Sequence, residues 1–189
     1  MTSADDVDRI FAEHIAAFGP PTAVINNAGV VPPRGRPLAD ATPQEIAQVI
    51  SVNVTGAIYV ARQAVRTMSQ QRGGHGGVLV NISSVAARTG SAGEYVDYAA
   101  SKAAIDTLTT GLALEHARDG VRVVGIRPGL IETGIHAKGG APDRAARIAP
   151  AIPMGRVGQP DEIADAVMFL ISDAASYITG TSIDISGGR

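Results

Sequence analysis

Apolar residues alternate along this chain between two spacings. From Asp6 to Phe18, Val7, Ile10, Phe11, Ile15 and Phe18 recur at helical intervals and predict one apolar face, stopped by Gly19-Pro20-Pro21. Thr22 to Ile25 reads as a short buried strand running into Asn26-Asn27-Ala28-Gly29. The next helix has a clear start: Thr42 to cap, Pro43 at the first position and Glu45 to complete a capping box. Its pattern continues to about Arg72, long for a helix, and holds Asn53 and Gly56 in mid-course. A mid-helix glycine costs about 1 kcal/mol relative to alanine, so a kink or local opening is predicted there.

Val78 to Ile82 follows as a strand ending in Ser83-Ser84, and then a helix from about Val96 to Arg118 closed by Asp119-Gly120. Val121 to Ile126 is a further strand, ended by Pro128-Gly129. Residues 134–155 are rich in Gly, Pro and Ala and read as a mobile flap with a short helix near Arg144. Pro160 opens a last helix to about Ser172, and Ser182 to Ile185 is a last strand. Helices alternating with continuously apolar strands imply βαβ units and a parallel sheet covered on both faces, in one domain spanning residues 1–189. In such sheets ligands bind beyond the carboxyl ends of the strands.

Composition narrows the function classes. Net charge is −2, which leaves no basic field for nucleic acid. No apolar run is long enough to span a membrane, and the first residues lack the basic and apolar segments of a signal peptide. Cysteine is absent, which excludes a thiol nucleophile, and no metal site is read from the sequence. A soluble cytoplasmic protein is expected. The chain has fourteen Arg but only two Lys, Lys102 and Lys138. Either that is chance, or one site needs a compact ammonium of adjustable pKa, which arginine does not provide.

Candidate chemistry lies at the strand ends. Tyr98 and Lys102 stand four apart at a helix start, on one face. A phenol titrates near 10, so accepting a proton near neutrality requires a neighbouring cation. Such a pair also occurs as a plain surface contact. Ser84 can polarise a carbonyl, or can simply bond the backbone at a strand end. Asn53 can have a special role or be a buried packing contact. Asn26 to Gly29 lets a flat ligand approach the backbone, and Pro128, Gly129, Ile131 and Thr133 offer amides and a hydroxyl to a carboxamide. Both segments can equally be ordinary turns.

Taken in order, Asn26-Asn27-Ala28-Gly29, Asn53-Val54-Thr55-Gly56, Asn81-Ile82-Ser83-Ser84, Tyr98 through Lys102, Arg127-Pro128-Gly129 and Thr179-Gly180 with Gly187-Gly188 resemble the short-chain dehydrogenase/reductase family over nearly the whole chain. The resemblance implies a Rossmann-like parallel sheet. It also implies an NAD- or NADP-dependent oxidoreductase that interconverts a secondary alcohol and a ketone. It assigns catalysis to Asn53, Ser84, Tyr98 and Lys102. Tyr98 would be the general acid/base. Lys102 would lower its pKa and bind the nicotinamide ribose. Ser84 would orient the substrate oxygen, and Asn53 would hold a water of a proton relay. Cofactor contacts would come from Asn26, Ala28, Gly29, Tyr98, Lys102, Pro128, Gly129, Ile131 and Thr133. A homodimer or homotetramer is implied, with contacts through helices at 43–72 and 96–118 and through the last helix and strand.

Two departures stand out. Ser84 and Tyr98 are fourteen positions apart, one more than the family's pattern; the loop with Glu94 and Tyr95 can lengthen without moving its ends, so Ser84 rather than Ser83 is the serine of the motif. Tyr95 is expected as a surface aromatic, with a substrate contact as the alternative. The family's opening strand, glycine-rich turn and helix are not in this sequence, and Gly73-Gly74-His75-Gly76-Gly77 precedes a strand where the fingerprint must follow one. On the family's layout about 60 residues are expected ahead of Met1. The sheet would then lack its first strands and the strand at 22–25 would be an exposed edge. The alternative to an oxidoreductase is a truncated, catalytically silent fragment or an oligomerising subunit. The sequence does not select a substrate, nor NAD over NADP.

Overall fold

The computed structural model describes residues 2–33, 35–133 and 147–189. Helix α1 (Ala4–Phe18) is capped by the Ser3 hydroxyl, which accepts from the Asp6 amide. It leads to β1 (Ala23–Asn26) and then to α2 (Pro43–Ile50), whose capping box is complete: Thr42 Oγ1 accepts from the Glu45 amide, and Glu45 accepts from the Thr42 amide. Helix α3 (Ala57–Met68), β2 (Gly77–Ile82), the short α4 (Ala86–Thr89), α5 (Val96–His116), β3 (Val121–Pro128), α6 (Pro160–Ile171) and β4 (Ser182–Ile185) follow. Gly120, at φ 74°, makes the left-handed turn from α5 into β3.

The expected interruption of the second helix is present as one π-helical turn, Ser51–Gly56, between α2 and α3. The helix ends earlier than expected, at Met68, and Gln70–Arg72 form a separate 3₁₀ turn. Of the flap read at 134–155, residues 134–146, Arg144 among them, lie outside the described residues. Ala149–Ala151 form a 3₁₀ turn.

The strands form a parallel sheet in the order β1-β2-β3-β4. Alternation along the strands sends Leu79, Val121 and Val123 to one face, where α1, α3 and α5 cover them. Val78, Val80, Val124 and Ile126 point to the other face, under α6. Arg122 donates to the carbonyls of Leu170, Ser172 and Ile178 and so satisfies acceptors that α6 leaves open at its C-terminus.

Coverage is incomplete where the sequence predicted two covered faces. Among the described residues strand β1 pairs only with β2, and Ile25, which is in register with Val80 on the α6 face, is 41% exposed. The edge itself was expected. Helix α6 reaches the sheet from the far side and stops short of it. The apolar face read on α1 is also narrower than predicted. Val7 and Phe11 are buried, whereas Ile10, Ile15 and Phe18 are exposed, because α1 packs on α3 and has no second layer over it.

Candidate active site

A cleft of about 600 Å³ opens at the carboxyl end of the sheet. The first turns of α5 place Tyr98 and Lys102 on its wall, one helical turn apart, and the Lys102 ammonium lies 5.7 Å from the centre of the Tyr98 ring. Lys102 is buried, and its Nζ donates to the Ile82 carbonyl at the end of β2 (2.9 Å). Burial draws its pKa down to about 8, opposed by the negative charge of Asp106 one turn further on. A lone surface pair would not be desolvated in this way.

The two serines that end β2 separate in role. Ser83 is buried and donates to the Lys102 carbonyl (2.9 Å), fixing α5 to the strand end. Ser84 is half-buried on the cleft wall, and its Oγ accepts the Ala86 amide (3.1 Å) at the start of α4.

Asn53, buried in the π turn, faces the loop after β1. Its Oδ1 accepts from the Val30 amide (2.8 Å), and its Nδ2 donates to the Val30 carbonyl (2.9 Å) and to Ser101 Oγ (3.0 Å). Ser101 in turn donates to the Tyr98 carbonyl (2.7 Å). One amide therefore joins the π turn, the loop and the start of α5. Gly29 lies between these groups: a Cβ there would sit 3.4 Å from both Asn53 Oδ1 and Lys102 Nζ. At Gly129, on the opposite wall, a Cβ would come within 2.7 Å of Ser186 Cα, so the glycine lets the segment after β4 pack against the end of β3.

Of the residues read as cofactor contacts, Gly29, Tyr98, Lys102, Pro128, Gly129, Ile131 and Thr133 line the cleft. Asn26 does not. It is buried and donates to the Ala57 carbonyl and to Asn81 Oδ1, the start of a polar ladder that Asn81 continues to Thr109. Ala28 is exposed and is not part of the wall, whereas Asn27 is. Tyr95 is not the surface aromatic expected: it is 5% exposed and lines the cleft, packed against Gly35. The sequence reading also missed the wall formed by Ile163, Ala164, Val167 and Met168 of α6. Among the described residues no cluster of His, Cys, Asp or Glu is arranged to hold a metal ion, and no helix is long and apolar enough to cross a membrane.

A family profile described as Enoyl-(Acyl carrier protein) reductase matches residues 1–189. The chain superposes on a short-chain type dehydrogenase/reductase from Mycobacterium marinum with a TM-score of 0.89 and 32% identity, covering 99% of this chain and 72% of that one. This chain belongs to the short-chain dehydrogenase/reductase family. A second solved relative, the 3-ketoacyl-(acyl-carrier-protein) reductase from Brucella melitensis complexed with NADH, matches with a TM-score of 0.90 and 30% identity, covering all of this chain and 75% of that one. By sequence, the chain is 52% identical over 170 residues to the uncharacterized oxidoreductase YgfF of Escherichia coli (strain K12), a match that takes in 90% of this chain and 68% of YgfF. Ser84, Tyr98 and Lys102, read in the sequence as catalytic, line one cleft, and Asn53 bonds to the loop that borders it.

Proposed function

We propose that this dehydrogenase/reductase interconverts a secondary alcohol and a ketone with NAD or NADP, and that Tyr98 is its general acid/base. The observation that carries the reading is the buried Lys102 ammonium beside the Tyr98 ring on a cleft wall that Ser84 shares. With its pKa drawn down to about 8, Lys102 remains mostly charged at pH 7, and a positive charge this close favours the phenolate form of Tyr98. The Ser84 hydroxyl accepts one backbone amide and keeps its proton to donate to a substrate oxygen. In the reductive direction Tyr98 gives its proton to the forming alkoxide, and in the oxidative direction it takes the alcohol proton. Asn53 contributes by fixing Val30, and with it Gly29, against the ammonium; its Nδ2 is fully used, while its Oδ1 accepts one bond and keeps a second lone pair for a relay water.

The cleft fits the nicotinamide-ribose end of a dinucleotide. Gly29 and Gly129 line the cleft, Pro128 and Ile131 offer an apolar wall, and Lys102 is the cation for ribose hydroxyls. The bound dinucleotide would supply or remove the hydride. A homodimer or homotetramer in the cytoplasm completes the proposal, supported by exposed Leu114, Met168, Phe169 and Tyr177; light scattering at micromolar concentration checks it, and a monomer would contradict it.

Thermal melts of the chain with NADH and with NADPH test the site. At 100 times its dissociation constant a ligand of the folded form adds about 2.7 kcal/mol, which raises Tm by about 5–10 °C for a domain of this size. The expected result is a rise with one dinucleotide; a cooperative melt indifferent to both would overturn the reading. The exposed β1 edge and Ile25 favour a second reading, in which the chain is a silent fragment or an oligomerising subunit. Indifference to both dinucleotides is the outcome it requires.

A further inference from the structure

Arg36 has no part in the chemistry described above, yet its guanidinium is among the most deeply buried charges of the protein, at 3% exposure. It sits in the loop between β1 and α2. Its terminal nitrogens donate to both carboxylate oxygens of Asp97, at 3.4 Å and 2.9 Å, and its Nε donates to Glu45 Oε2 at 3.3 Å. Its backbone amide donates to the Glu94 carbonyl (2.8 Å). Glu45 belongs to the capping box of α2, the helix that runs directly into the π turn bearing Asn53. Asp97 Oδ1 also accepts the backbone amide of Tyr98 (3.0 Å).

That last bond matters because of how α5 begins. The helix has no side-chain cap: Tyr95 occupies the cap position and makes no capping bond. Tyr98 is the third residue of the helix, so its amide is one of the donors that lack an intrahelical acceptor. An uncapped first turn frays, and this turn carries the Tyr98 side chain. Asp97 supplies the missing acceptor from within the turn, and the arginine fork fixes the plane of that carboxylate. Net stability does not account for such a cluster, since burying the Arg36–Asp97 pair offsets most of what its attraction returns and apolar side chains of similar shape would serve as well. The fork supplies direction.

We propose that Arg36, acting through Asp97, is a positioning residue that holds the first turn of α5 so that the Tyr98 phenol stays beside Lys102. The proposal rests on the reading of Tyr98 as the acid/base. Among the described residues, the charged groups packed about this turn are Lys102 and Asp97 on α5, Glu94 before it, Arg36 in the loop and Glu45 on α2.

The test is the titration of Tyr98 in the full chain, read by NMR of ring-labelled tyrosine. The chain has four tyrosines, and Tyr98→Phe identifies the resonance. Arg36→Met and Asp97→Asn are compared with the parent. Through-space charge alone would move the midpoint in opposite senses, since losing a cation raises a phenol pKa and losing an anion lowers it. Loss of positioning raises it in both, by about one pH unit in Arg36→Met and less in Asp97→Asn, which keeps the acceptor for the Tyr98 amide. Arg36→Lys keeps the charge but not the fork, and is expected to raise the midpoint as well. Unchanged midpoints, or opposite shifts in the first two variants, would overturn the proposal. So would failure of all three variants to melt cooperatively, which would mark the cluster as a structural pin only. A parent midpoint near the ordinary phenol value of about 10 would instead remove the acid/base reading itself.

Discussion

Lys102 is held almost out of water with the Ile82 carbonyl as its acceptor, and its pKa falls to about 8. In an unfolded chain the same group titrates near 10.4. The folded state therefore disfavours the charged form, and below pH 8 this costs about 3 kcal/mol of stability. The cost shrinks as pH rises from 8 to 10.4 and is gone above that. Lys102→Met should thus stabilise the protein at pH 7. With about 1 kcal/mol deducted for the lost bond to Ile82, the gain is about 2 kcal/mol, or roughly 4–8 °C in Tm. Melts at pH 7 and pH 10 check this: the advantage should narrow at the higher pH, and a variant less stable than the parent at pH 7 would contradict it. The lysine was legible in the sequence as one of only two among fourteen arginines, four positions from Tyr98. Arg36 was not, because its ion-pair partner Asp97 is 61 positions away and nothing local distinguishes it from a surface arginine.

At the level of elements, the break in the long helix was legible because Asn53 and Gly56 are poor helix formers in mid-course. Its form, a single π turn, depends on bonds from Asn53 to Val30 and Ser101, 23 and 48 positions away, which no local pattern encodes. Asn53→Ala removes three hydrogen bonds and leaves the Val30 amide and carbonyl without that partner. It is expected to destabilise the chain by about 3 kcal/mol and to lower Tm by roughly 6–12 °C, as measured by calorimetry. A change within 2 °C or so would mean that the loop holds its place without the amide. Tyr95 shows the same limit. Its side chain packs against Gly35, on a different loop, so its inward placement is not encoded locally.

Across the whole molecule, the order of strands and helices was readable because short apolar runs at 22–25, 78–82 and 121–126, each followed by turn residues, alternate with helical spacings. The same rule placed the cleft at the carboxyl ends. It did not show which strand faces would remain bare, since that depends on how far α6 reaches across the sheet. Nor did it show that α6 would supply a wall of the cleft, since one helix face packed on the sheet already accounts for Ile163 and Val167. The account as a whole depends on Tyr98 moving a proton in that cleft. The most direct measurement is NADH and NADPH oxidation by the chain and by Tyr98→Phe over a panel of small ketones, with dinucleotide binding followed alongside by the melt. The account predicts turnover by the parent that falls by about 10²–10⁴-fold in Tyr98→Phe, while the dinucleotide still raises Tm in both. Equal turnover in the two proteins would contradict it.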